Sequence, residues 1–123
     1  MKEELSTLIK AQYPLIYLVT SEEQRAEDAI VSIIQENDRK NTSEIFLWTV
    51  TRGIYELADN KRQSVQRNTV SPEAAIDWVI RHSGEGIYIF KDLHPYLDSP
   101  PVTRSIRDAI ASFKSTNKII ILM

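Results

Sequence analysis

Four consecutive apolar residues, Ile87-Tyr88-Ile89-Phe90, run directly into Lys91 and Asp92, with His94, Tyr96 and Asp98 close behind. Side chains of these types could do three kinds of chemistry. The Lys91 ammonium could hold a phosphate, and an acid ending a strand could hold the magnesium of a nucleotide hydrolase. Asp92, His94 and Asp98 could also converge on a metal ion. Each option meets an objection in the residues themselves. A lysine immediately before Asp92 does not suit a magnesium site. Three ligands in a loop lack the helical register that fixes metal geometry, and the chain holds only two histidines. Aspartate is also an ordinary turn residue, which is the plainer reading of Asp92.

Phosphate chemistry asks for a glycine-rich turn whose amides wrap the anion and for a lysine to reach its charge. The turn after the first apolar run reads Thr20-Ser21-Glu22-Glu23-Gln24-Arg25-Ala26. It contains neither residue type, and it sets two carboxylates where phosphate would sit. No serine lies in a glycine-flanked nucleophile turn. The absence of cysteine removes thiolate catalysis, disulfides and cysteine-held metals. No catalytic residue, metal or cofactor is expected in this chain.

The elements that must position these residues alternate in type. Leu5, Leu8 and Ile9 predict a helix over residues 3–12, stopped by Tyr13-Pro14. Residues 15–19 predict a strand. Ser21 and Gln24 then read as a capping box for a helix with Ala26, Ala29, Ile30, Ile33 and Ile34 as its stripe. Asn37 to Thr42 is turn-prone. Residues 45–50 predict a second strand, and 51–70 a long polar connection carrying Arg52, Lys61, Arg62 and Arg67. Ser71-Pro72-Glu73 opens a helix buried through Ile76, Val79 and Ile80. Residues 87–91 predict the third strand. Asp98-Ser99-Pro100-Pro101 opens a helix with Val102, Ile106, Ala109, Ile110 and Phe113 as its stripe, and residues 118–123 predict the last strand. Strands alternating with helices imply an α/β domain on a parallel sheet, one domain over residues 1–123. An ending inside an apolar strand is read as a cut through an incomplete sheet.

A net charge of −2 supplies no basic field for nucleic acid or an anionic membrane. No apolar run approaches the roughly 20 residues of a membrane helix, and no signal-peptide core is built. Arg52 to Arg67, with Tyr55 and Trp48 nearby, could touch single-stranded nucleic acid, but Glu56 and Asp59 interrupt it. His82 reads as a surface residue compatible with a helix C-terminus, and Arg104, Arg107 and Asp108 as a solvated helix face. Tyr96, Leu97, Pro100, Pro101 and Val102 either expose an apolar patch or pack over the strand ends.

Residues 13–20, Phe46 to Gly53, and Phe90-Lys91-Asp92-Leu93-His94-Pro95-Tyr96-Leu97-Asp98 resemble the opening of one AAA-type ATPase family. That family occurs in cyanobacteria and in algal plastid genomes. The similarity continues through Arg104, Arg107-Asp108 and Ile119 to Met123, and is weakest over 56–66. It implies a three-layer, Rossmann-like, degenerate P-loop-NTPase-like parallel sheet of four strands in the order 1-4-3-2. In this resemblance strand 87–91 takes the Walker B place, and the chain is the N-terminal part of a longer AAA-type protein.

The function expected is a non-catalytic interaction or regulatory module. Its partner is a protein or the adjoining ATPase domain, met through Arg52, Lys91, Asp92, His94, Tyr96 and Asp98. The alternative is a nucleotide- or small-ligand-binding module without turnover, using Thr20, Ser21, Arg52 and Lys91. Self-association through an exposed edge strand is expected as well. The expected compartment is the cytoplasm, or the plastid stroma for a plastid-encoded chain.

Overall fold

Three strands of this chain carry four successive apolar residues, 45–48, 87–90 and 119–122, which only a sheet covered on both faces accommodates. In the computed structural model, which describes residues 2–37, 44–58 and 61–123, they form the middle of that sheet. β2 (Glu44–Thr49) pairs in parallel with β5 (Gly86–Phe90), and β5 in parallel with β6 (Lys118–Leu122). β1 (Leu15–Tyr17) lies parallel outside β6, in register Leu15 to Ile120 and Tyr17 to Leu122.

Beyond β2 the sheet turns antiparallel. β3 (Gly53–Ala58) and β4 (Lys61–Val65) form a hairpin on its far side, giving the order β1-β6-β5-β2-β3-β4. The four expected strands lie parallel in the order 1-4-3-2, as β1-β6-β5-β2, but β3 and β4 extend them, so the expected four-stranded parallel sheet is corrected to a mixed sheet of six strands. The polar connection expected over 51–70 is mostly this hairpin. Val50, Thr51 and Arg52 make the turn into it, and Gly53 enters β3 at φ +80°.

Helices cover both faces. α1 (Lys2–Lys10) and α2 (Glu23–Asn37) lie on one, α3 (Pro72–Arg81) and α4 (Pro100–Ser112) on the other. The layer under α1 and α2 is aliphatic: Ile30, Ile33, Ile45, Leu47, Ile87, Ile89, Ile119 and Ile121. The layer under α3 and α4 is built on rings, with Phe46, Trp48, Tyr88 and Phe90 packed against Ile76, Val79, Val102 and Ile106.

The helix ends show how the residues choose their structure. Ser71 accepts from the Ala74 amide at 3.3 Å, and Pro72 stands in the first turn of α3. α1 stops at Lys10, two residues short of Tyr13-Pro14, where Gln12 at φ +59° lets the Gln12 and Tyr13 amides reach Ile9 and Leu8 carbonyls. The capping box expected of Ser21 and Gln24 is not what opens α2. The Gln24 amide donates to Asp28 instead, and it is the Thr20 hydroxyl that accepts from the Glu22 amide. The turn expected over residues 37–42 lies almost wholly outside the described residues. Among the described residues no helix is long and apolar enough to cross a membrane.

Candidate functional site

β5 delivers Lys91 to the carboxyl end of the sheet, but not to its surface. Ile87 and Ile89 face the aliphatic layer, and strand alternation carries Lys91 to that same side. Only 8% of the residue is exposed. Its Nζ lies 3.1 Å from Glu27 Oε1 and 3.5 Å from Glu23 Oε2. These acids stand four residues apart on α2, so one helical face presents both to the lysine. Glu27 is 3% exposed. Burying either charge alone would be expensive, and together they make an ion pair tying α2 to the end of β5.

Asp92 turns the chain away. It takes φ +56° and stays exposed, while its amide donates to the Met123 carbonyl at 3.0 Å. Aspartate is among the few residues that tolerate the left-handed region. His94, exposed, begins a short 3-10 turn (His94–Tyr96). Tyr96 is half-buried, its ring edge-on to Trp48 at 6.4 Å. Asp98 is exposed. Leu97 packs on the core and Val102 is buried, whereas Pro100 and Pro101 are exposed. Among the described residues no three histidine or acidic side chains gather as a metal site requires.

Arg52 stands in the turn beyond β2, exposed, its guanidinium 4.6 Å from the centre of the Tyr55 ring. Since β2 adjoins β5, Arg52 and the 92–98 loop rise from neighbouring strand ends. Thr20 and Ser21 follow β1, three strand spacings from β2, or roughly 14 Å. Strand order therefore places Arg52 and the 92–98 loop at neighbouring strand ends and sets Thr20 and Ser21 apart, while Lys91 is directed inward to α2.

Sequence reasoning missed a second polar cluster, at the opposite ends of the same strands. Lys118, 5% exposed, reaches from the start of β6 to the carbonyls that α3 leaves unpaired. Its Nζ donates to Val79 O at 2.9 Å, to Ile80 O at 3.2 Å and to the His82 carbonyl. A cation is the charge that a helix C-terminus favours. Burial lowers the pKa of this ammonium from the ordinary lysine value. His82 is half-buried rather than a solvated surface residue. Its ring stacks on Trp78 at 4.6 Å, and its Nε2 lies 3.1 Å from Glu44 Oε1. Desolvation raises the Tyr88 phenol well above its usual range, and the Glu44 carboxylate adds to the shift. The spacing Trp78 to His82, one helical turn, was the available signal.

These features define a three-layer α/β domain whose strand-end crevice is occupied by an internal lysine–carboxylate pair. All of residues 1–123 match the model of the family described as SpoVK-like AAA ATPase, N-terminal domain, and the chain belongs to that family. It is similar to the "Uncharacterized AAA domain-containing protein ycf46" of three algae. Identity is 25% with that of Guillardia theta, 28% with that of Gracilaria tenuistipitata var. liui and 29% with that of Trieres chinensis. Each alignment covers 98% of this chain but only 23% or 24% of the relative, so the chain spans about a quarter of those proteins. No solved structure gives a significant match.

Proposed function

We propose that this chain is a non-catalytic, ATPase-like module that presents its strand-end loops to a protein partner or to an adjoining ATPase domain. One observation carries the reading. The Lys91 ammonium is already neutralised by Glu27 and Glu23, so the cation best placed to hold a phosphate is engaged. Those carboxylates would repel an anion entering the same crevice. What remains exposed at the strand ends is a mixed rim of Arg52, Asp92, His94 and Asp98. A polar, mixed-charge rim suits a regulatory contact between folded partners better than it suits turnover of a small substrate.

The test uses a longer AAA protein carrying this domain. Arg52→Ala and the pair Asp92→Ala with His94→Ala are introduced, and folding is checked by circular dichroism. ATP hydrolysis and co-purifying partners are then compared with the parent. A changed hydrolysis rate or a lost partner in the folded variants is the expected result. Unchanged hydrolysis and an unchanged partner set in both variants would reject this surface.

A further inference from the structure

The two outer edges of the sheet differ in how open they are to further pairing. β4 opens on Lys61-Arg62, and its ladder with β3 shifts register between Tyr55 and Glu56. Lysine and an irregular ladder are means by which an edge is kept from pairing. β1 has neither. From Ala11 to Ser21 the chain carries no charged side chain, and β1 pairs with β6 without a shift. Among the described residues no strand lies beyond it.

Two hydrogen bonds show which backbone groups face that open side. The Leu18 amide donates to the Leu122 carbonyl at 2.8 Å, and the Pro14 carbonyl accepts from the Ile120 amide at 2.9 Å. Strand alternation then turns residues 14, 16 and 18 toward β6, and Leu15, Tyr17 and Val19 outward. The missing amide proton of Pro14 therefore falls on the side of β6, not on the open edge. Leu15 packs on the ring-filled layer, Ile16 and Leu18 on the aliphatic one, so Tyr17 and Val19 stand on the ring-filled side. There they are 56% and 83% exposed.

We infer that β1 pairs antiparallel with β1 of a second copy of this chain, about a two-fold axis through Tyr17. That register opposes Tyr17 to Tyr17 and Leu15 to Val19, so every outward amide and carbonyl of the three residues finds a partner. An axis one residue earlier would set Val19 against Tyr13, whose amide is already taken by the Leu8 carbonyl. Charge selects the same occupant. The nearest charged residues on either side of the stretch are Lys10 before it and Glu22 after it, both exposed. Antiparallel pairing of two copies brings Lys10 of each toward Glu22 of the other, the self-complementary match that a two-fold contact requires. The apolar pairs on the axis add cross-strand contact. This edge is separate from the rim of Arg52, Asp92, His94 and Asp98, so either reading can fail without the other.

The test is sedimentation equilibrium of the whole chain, with circular dichroism to check folding. The parent should associate with a Kd below about 1 mM, as fits a contact too short for a permanent dimer. Tyr17→Lys and Tyr17→Glu each set two like charges opposite each other on the axis, and each should weaken self-association by about tenfold or more. An equal mixture of the two variants should regain about the parent's strength, since opposite charges then face each other. Val19→Pro removes one outward amide and no bond to β6, and should weaken association by a similar factor. In the parent, amide exchange at Leu15, Tyr17 and Val19 should slow as protein concentration rises, while that of β4 stays constant. A parent that stays monomeric at about 1 mM would leave the edge to some other strand and overturn the inference. Folded variants that associate as the parent does, or a mixture no tighter than either variant alone, would overturn it too.

Discussion

Breaking the pair between Lys91 and Glu27 should cost far more than its position at the end of a strand suggests. The charges are 3.1 Å apart with side chains only 9% and 4% exposed. Coulomb attraction at that separation is about 5 kcal/mol for an effective dielectric of 20. Most of that is offset by the desolvation both groups suffered. What a single substitution exposes is the desolvation of the partner left behind, about 3–5 kcal/mol. Lys91→Met strands Glu27 in the aliphatic layer and should fall in that range. Glu27→Leu leaves Lys91 with Glu23, which is 3.5 Å away but half exposed, so about 2–3 kcal/mol is expected. The double variant removes both charges from a layer already rich in isoleucine, and should return to within about 1 kcal/mol of the parent or exceed it. Urea unfolding, followed by circular dichroism, measures all four corners of this cycle, with equal m-values confirming the two-state comparison. Single variants within about 0.5 kcal/mol of the parent, or a double variant that is simply additive, would refute the reasoning.

Three further outcomes follow from buried groups. Lys118→Met should lower stability by about 2–4 kcal/mol, since it leaves the terminal carbonyls of α3 without their donor. Because burial lowers the Lys118 pKa in the folded chain, the unfolded chain holds that proton more tightly as pH rises toward the ordinary lysine value. This group's contribution to stability should therefore rise with alkaline pH in the parent and not in Lys118→Met, which unfolding curves against pH can check. Gly53→Ala should cost about 1–3 kcal/mol, through the positive φ and the crowding of Thr69. A loss in urea midpoint no larger than that of a surface glycine substitution would count against that crowding.

Much of this architecture was legible because apolar runs and helix signals need no tertiary information. Ile87 to Phe90 and Ile119 to Leu122 can be satisfied only between two covered faces, and Ser71-Pro72 announces α3 by local chemistry alone. The hairpin was not legible in the same way. β4 opens with four polar residues, Lys61-Arg62-Gln63-Ser64, β3 is interrupted by Glu56, and both sit outside the parallel frame that the helices define. Asp59-Asn60, turn-favouring residues between the two strands, was the overlooked sequence signal. Lys91 was misplaced and the role of Lys118 missed for a shared reason. Lysine is so seldom buried that a chain reading assigns it to solvent. What buries each of them comes from a distant segment, α2 in one case and the end of α3 in the other. His82 was misread for the same cause, since Glu44 and Phe46 reach the end of α3 from β2.

The division between an aliphatic and a ring-filled layer also tells each strand where to sit. In β2 the order is Ile45, Phe46, Leu47, Trp48, and in β5 it is Ile87, Tyr88, Ile89, Phe90. A pattern of polar against apolar residues carries no register information in strands buried on both sides. Here size carries it instead. A slip of either strand by one residue would drive its two rings into the layer built for isoleucine and open voids on the other face, though hydrophobicity would hardly change. The register of β2 and β5 is thus encoded in volume rather than in polarity. It should be most sensitive to exchanges that keep a position apolar and change its bulk.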